Sequence, residues 1–110
     1  MNFLSKLIQG ITGASSQELA TDAILIDVRS PGEFASGYID GAISLPLDHV
    51  AQMIEAAVPD KSAAIIVYCR SGARSGSAKN ILAGLGYRQV SNGGGVSALA
   101  LKLQKPIRRA

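Results

Sequence analysis

Apolar positions along the chain switch repeatedly between a strand-like and a helix-like period. AILIDV, residues 23 to 28, is a short continuous apolar run, the pattern of a buried strand. RSPGEF interrupts it, and Ser30 is placed to cap a helix that opens at Pro31. GYIDGAISLPL sets turn glycines around a short second strand near Ala42 to Leu45. Asp48 then reads as the cap of a helix with Val50, Met53, Ile54, Ala57 and Val58 on one face, ended by Pro59. AAIIVY, residues 63 to 68, is the strongest strand signal in the protein. Beyond a small-residue loop, Ala78, Ile81, Leu82 and Leu85 form one helical face, and Gly86 is a terminating residue. YRQVSN predicts a further short strand ended by GGG. Val96, Leu99, Ala100 and Leu103 then mark a last helix. Residues 104 to 110, QKPIRRA, read as a frayed tail.

Strands that alternate with helices and are too apolar to face water imply an α/β fold. The expectation is a small parallel sheet of about four to five strands with helices on both faces. Crossovers in such a sheet are right-handed, and ligands bind at the carboxyl ends of the strands. Nothing in the pattern suggests a repeat or an interdomain linker, so residues 1–110 are read as a single domain. Leu4, Leu7, Ile8 and Ile11 follow helical spacing, so residues 1–15 are expected to form an amphipathic N-terminal helix packed on the domain, with surface docking as the alternative. Lys6 and the short, broken apolar stretch argue against a signal peptide, and no segment is long and apolar enough to span a membrane.

Composition adds two constraints. Hydrophobic residues make up 47% of the 110 residues while Trp is absent, so the core is aliphatic. The net charge is +3, yet all eight acidic residues precede Lys61, and residues 61–110 carry bases only. That half has no carboxylate of its own to repel an anion. Its bases are scattered and lack interleaved aromatics, which argues against nucleic-acid binding.

The single cysteine, Cys69, stands where AAIIVY meets the loop. One cysteine excludes an internal disulfide and a cysteine-rich metal site, and it suits a reducing, cytoplasmic compartment. A thiolate is the nucleophilic form of the side chain, and a helix N-terminus or nearby cations lower its pKa. Ser71, Gly72 and Ala73 let the backbone curl so that several N–H groups converge, and Arg70 and Arg74 add positive charge. The expected product is an anion cradle, Arg70 to Ser75, with a nucleophilic sulfur at its floor. The plainer reading is a buried structural cysteine, and the arginines and glycine of the loop weigh against it.

CRSGARS after IIVY resembles the active-site loop of the rhodanese family. LIDVRSPGEFASGYIDGAISLPL is similar to the family's first conserved block, and LAGLGYRQVSNGGGVSAL to the block after the loop. The likeness runs from about Ser16 to Leu101 in family order. It implies a rhodanese-type sulfurtransferase, a thiosulfate sulfurtransferase in its simplest form. Sulfane sulfur would pass from thiosulfate or a persulfide donor onto Cys69 as a persulfide, and then to cyanide, a small thiol or a protein thiol. By this resemblance Cys69 is the nucleophile, the backbone from Arg70 through Ser71, Gly72, Ala73 and Arg74 to Ser75 holds the anion, and Arg70 and Arg74 orient it. No metal or organic cofactor is implied. The partners implied are a small anionic sulfur donor and a protein acceptor such as a thioredoxin-like protein. The six residues from Cys69 to Arg74 match the sulfurtransferase branch, since the phosphatase branch has a loop one residue longer. Tyr38 stands where the family often has His, and Leu99 lies near the place of its usual Trp.

Two alternatives stay open at this point: a sulfur-relay module with weak activity alone, and a regulatory domain whose thiol senses oxidants. Asp27 and Arg29, at a strand end, are read first as a buried ion pair and second as groups lining the cleft. Glu33 is read as a brace for a nearby base. His49, beside the presumed cap, is not expected at the site. NGGG lacks the lysine and spacing of a nucleotide loop and is read as turn chemistry.

Overall fold

The computed structural model describes residues 22–110. The expected N-terminal helix lies outside the described residues. Strands β1 (Ile24–Asp27), β3 (Ile43–Ser44), β4 (Ala64–Cys69) and β5 (Gln89–Gly95) form a four-stranded sheet in the order β3-β1-β4-β5. Every pairing in it is parallel, with Ile26 opposite both Ile43 and Val67. The helices are α1 (Pro31–Ser36), α2 (Val50–Ala57), α3 (Ala73–Gly84) and α4 (Val96–Leu103). The sequence expectation of a small parallel sheet holds.

Two-residue alternation divides the core between the faces of the sheet. Ile26 and Val28 from the first strand segment, with Ile65, Val67 and Cys69 of β4, pack against Val50 and Ile54 of α2 and Ala78 and Leu82 of α3. Leu25, Ile66 and Tyr68 point the other way and meet Ile39, Leu99 and Ala100. Each fully buried Ile, Leu or Val of this set is worth roughly 1.5–3 kcal/mol relative to exposure. Leu99, near the place of the family's usual Trp, is thus a core residue of the second cluster, 1% exposed.

The structure corrects the sequence reading in four places. Asp48 does not cap α2: Leu47–His49 is a 3₁₀ turn, and the residue before the helix is His49, with no side-chain cap. Met53, placed on the inner face of that helix, is 45% exposed. The GGG segment does not end the last sheet strand, because β5 runs through Gly95. The tail is not frayed. Past Gln104, Ile107–Arg108 forms β6 and pairs antiparallel with β2 (Tyr38–Ile39), Asp40 N–H donates to the Pro106 carbonyl, and Ala110 N–H donates to that of Ala35. Tyr38 in turn stacks on Phe34, ring centroids 4.2 Å apart, so it packs α1 against this second, two-stranded sheet.

Gly93 marks how tightly β5 is held. A Cβ there would lie 2.7 Å from the side chains of both Ile66 and Leu99. Gly93→Ala is therefore expected to overpack the second cluster at a cost of about 1–3 kcal/mol. Thermal unfolding followed by circular dichroism should show a midpoint lowered by roughly 4–8 °C per kcal/mol, and an unchanged midpoint would mean that this strand has slack.

Candidate active site

Cys69 is the last residue of β4, and its side chain points to the α2/α3 face of the sheet. The chain then turns through Arg70 and Ser71 into Gly72, which precedes α3 and has a left-handed φ of 101°. No L side chain adopts that conformation cheaply, and it aims the Gly72 N–H back at the sulfur. The Gly72 N–H donates to Cys69 Sγ at 3.0 Å and the Ser75 N–H at 3.4 Å. The Ser75 hydroxyl oxygen lies 3.4 Å from the same sulfur. Helix α3 thus begins with its free N–H groups around Cys69, as a helix N-terminus does around an anion.

Two effects on the thiol oppose each other. Burial disfavours the thiolate, and the Ser75 hydroxyl with the N–H groups of Ser75, Ser71 and Gly72 favours it. The hydrogen bonds win, and the Cys69 thiol comes down to about 7. The thiolate is then within reach at neutral pH.

The strand beside the loop makes this possible. Between the pairs Val67–Asn92 and Cys69–Gly95 the register shifts, so β5 carries one residue more than β4. This bulge sits directly beside the cysteine, and Gly94 within it has a φ of 84°. A Cβ on Gly95 would come within 2.5 Å of the Arg70 carbonyl oxygen. Gly95 is therefore a demand of close backbone approach, whereas Gly94 answers to its left-handed φ in the bulge and Gly93 to the side chains of Ile66 and Leu99. Asn92, which the sequence reading passed over, closes the contact: its Nδ2 donates to the Gly72 carbonyl at 3.0 Å, and its Oδ1 accepts from Ser75 Oγ at 2.7 Å and from the Gly94 N–H at 2.9 Å. The only hint in the sequence was a polar residue ending VSN just before the glycines.

The arginines divide. Arg70 is exposed and lines an open cleft of about 610 Å³ with Arg29, Glu33, Ser36 and the segment from Gly95 to Ala98. Arg74 is engaged: its two terminal nitrogens donate to the two Glu33 carboxylate oxygens at 2.7 and 3.0 Å. Glu33 also closes the capping box of α1, accepting from the Ser30 N–H while Ser30 Oγ accepts from its own N–H. Glu33 is thus the brace that the sequence suggested, and it brings α1 to the start of α3. Its carboxyl is held down at about 2, chiefly by Arg74 and then by Ser30.

Asp27 and Arg29 form a buried, bidentate ion pair, with Nε at 3.0 Å and a terminal nitrogen at 2.6 Å from the carboxylate oxygens. Arg29 also donates to the Gly37 carbonyl and lies 5.8 Å from the centre of the Tyr68 ring. By strand parity Asp27 faces away from Cys69, so its part is structural, whereas Arg29 both braces the turn and lines the cleft. Tyr68 shares that face and accepts the Ile39 N–H at 3.1 Å, which ties β4 to β2. Burial pushes its phenol far up. His49 is exposed on the 3₁₀ turn and is not among the hydrogen-bond partners of Cys69. No described helix is long and apolar enough to cross a membrane.

The family model for the rhodanese-like domain matches residues 13–101. The chain belongs to the rhodanese-like family. It is 45% identical over 76 residues to the thiosulfate sulfurtransferase PspE of Escherichia coli, covering 69% of this chain and 73% of that one. A sulfurtransferase of Allochromatium vinosum is 42% identical over 88 residues, covering 77% of this chain and 80% of that one. Among solved structures, an E. coli rhodanese with anions matches at a TM-score of 0.72 and 39% identity, over 80% of this chain and 99% of that one. The rhodanese resemblance read from the sequence is thus upheld in family and in fold.

The brace between α1 and α3 has a pH signature. The Glu33 carboxyl is lower in the folded chain than in the unfolded one, near ~4.3 unfolded, so its contribution is complete above that value and is lost as pH falls through about 2. Glu33→Gln should reduce stability at neutral pH and flatten the loss of stability between about pH 4.5 and 2. Urea unfolding across that range measures both, and parallel acid limbs in the two proteins would show that the pair contributes nothing.

Proposed function

We propose that this rhodanese-type sulfurtransferase carries sulfane sulfur on Cys69. The observation that carries the reading is the sulfur itself, held at the end of β4 by the N–H groups of Gly72 and Ser75 and poised to ionise near neutral pH. A thiolate there attacks the outer sulfur of a donor such as thiosulfate. The new bond joins Cys69 Sγ to that sulfur, the donor S–S bond breaks, and its electron pair leaves with sulfite. The product is a cysteine persulfide anion, which the same N–H groups accommodate. An acceptor nucleophile then attacks the outer sulfur, and Cys69 leaves as the thiolate that began the cycle. With cyanide the product is thiocyanate, and with a thiol it is a persulfide. The cycle returns every electron it uses and calls for no cofactor.

Residue roles follow from position. The backbone from Arg70 to Ser75 holds the anion, with the Ser71 and Ala73 positions kept small at the curl. Arg70, exposed on the cleft, attracts the donor and the departing sulfite. Arg74 stays cationic near the sulfur while Glu33 fixes its direction, so it shapes the loop more than it grips substrate. Cys69 is only 1% exposed, which favours a slender inorganic donor. The persulfide's outer sulfur stands one S–S bond, about 2.05 Å, further out, where a larger acceptor such as a thioredoxin-like thiol reaches it. The relative solved with anions is in keeping with this cradle.

Brief incubation with thiosulfate followed by intact-mass measurement tests the reading. Wild type should gain one sulfur atom and lose it on addition of cyanide, and Cys69→Ser should gain nothing. Arg70→Ala should weaken thiosulfate use mainly through KM, roughly 10-fold for the loss of one exposed charge contact. Sulfur uptake by Cys69→Ser, or none by wild type from thiosulfate or a persulfide donor, would overturn the mechanism.

A further inference from the structure

Ser75 is fully buried, and its hydroxyl has a single proton. Two groups lie within reach of its oxygen: Asn92 Oδ1 at 2.7 Å and Cys69 Sγ at 3.4 Å. The direction of the Asn92 amide is not free. The Gly72 carbonyl can only accept, and it lies 3.0 Å from Nδ2; the Gly94 N–H can only donate, and it lies 2.9 Å from Oδ1. These main-chain groups turn the amide oxygen toward Ser75. Ser75 must therefore be the donor in that bond, and its lone pairs face the sulfur. In this state the sulfur holds its own proton and donates it to Ser75.

Ionisation reverses the requirement. A thiolate has no proton to give and needs one more donor. The Ser75 hydroxyl can supply it by rotating about its Cβ–Oγ bond, with no covalent bond broken. Asn92 Oδ1 then keeps its bond from the Gly94 N–H and is not stranded, and Asn92 is itself exposed enough for water to replace the lost partner.

We propose that Asn92 is a positioning residue for the Cys69 site: its amide oxygen competes with the sulfur for the single Ser75 proton, and thereby sets how readily Cys69 ionises. This rests on the reading of Cys69 as the sulfur carrier. The charged groups around the sulfur are Arg70 in the loop, Arg74 on α3 with Glu33 of α1 on it, Asp48 of the 3₁₀ turn, which shares a cleft with Arg74, and the Asp27–Arg29 pair beyond the sheet. Segment Gln89–Gly95 of β5 brings no titratable side chain, and His49 stands exposed on the 3₁₀ turn.

The test is a double-mutant cycle read by the pH dependence of iodoacetamide alkylation of the single cysteine. It compares wild type, Asn92→Leu, Ser75→Ala and the double variant, each checked for folding by circular dichroism. Leu has nearly the shape of Asn and offers Ser75 no acceptor. Loss of the Gly72 tether affects both Asn92→Leu proteins alike and cancels in the cycle. The expected result is a midpoint moved toward lower pH by Asn92→Leu when Ser75 is present, relative to its effect in the Ser75→Ala background, by about 0.5–2 units. Equal shifts in the two backgrounds, or none in either, would overturn the proposal. If Asn92→Leu does not fold, Asn92→Asp completes the cycle: a stronger acceptor should raise the midpoint more with Ser75 present than in the Ser75→Ala background, and equal shifts again overturn it. Alkylation needs no sulfur donor, so a protein that forms no persulfide with thiosulfate would defeat the functional reading while this coupling is still measured.

Discussion

The site depends on two backbones that touch. The end of β5 lies so close to the loop after Cys69 that a methyl group on Gly95 would meet the Arg70 carbonyl oxygen at 2.5 Å. That contact explains Gly95 and goes with the bulge beside the cysteine and the position of Asn92. A loop of six small and charged residues would otherwise sample many shapes, each residue costing about 1–2 kcal/mol to fix. Packing it against a strand that is itself pinned between Ile66 and Leu99 settles its shape before any ligand arrives. Preorganised main-chain donors of this kind need no rearrangement when charge appears on the sulfur, which leaves only the Ser75 hydroxyl to turn.

Around that contact the electrostatics are arranged in layers. The sulfur is nearly buried, which alone would keep it protonated. The Ser75 hydroxyl and N–H groups with fixed directions together outweigh the burial, and they do so without a charged partner in hydrogen-bond contact. The cations stand one step out. Arg74, at the start of α3, is neutralised in part by Glu33. A free guanidinium beside the cradle would hold an anion more firmly, but a cycle that must release sulfite gains nothing from a tight product complex. Pairing Arg74 while leaving Arg70 exposed fits a site that gathers anions and lets them go.

What could be read in the sequence was what is local. The apolar runs of β1 and β4 announce buried parallel strands, and Ser30 with Pro31 announces α1, because each signal lies within a few residues of its effect. The junction at Cys69 was legible for the same reason: strand end, small loop and helix start are contiguous. What escaped is non-local. The Arg74–Glu33 pair spans 41 residues and the Asn92–Gly72 bond 20. β2 and β6 have two residues each, and β6 is exposed, so neither shows a period. Asp48 failed as a cap because a 3₁₀ turn takes it up before the helix begins, a difference of geometry that residue type does not encode.

The alternation of β4 gives the fold its division of labour. Successive residues point to opposite faces, so Tyr68 and Cys69 are neighbours in the chain with unrelated surroundings. Tyr68 reaches into the second cluster and holds the Ile39 N–H, which fastens β2 and, through it, the C-terminal strand. Cys69 faces α3 and takes its N–H groups. The Asp27–Arg29 pair also sits on the Tyr68 side, where a buried carboxylate is satisfied by its guanidinium and does not oppose ionisation of the sulfur across the sheet. A one-residue slip of β4 would exchange the two side chains, burying the thiol among Leu25, Ile39 and Leu99 and thrusting a phenol into the cradle. Register in this strand is therefore a chemical requirement as well as a packing one, and the two-sided apolar pattern of residues 63 to 68 cannot by itself enforce it. The polar ties at either side of the strand end, Tyr68 to Ile39 and Ser75 to Asn92, distinguish one register from the other.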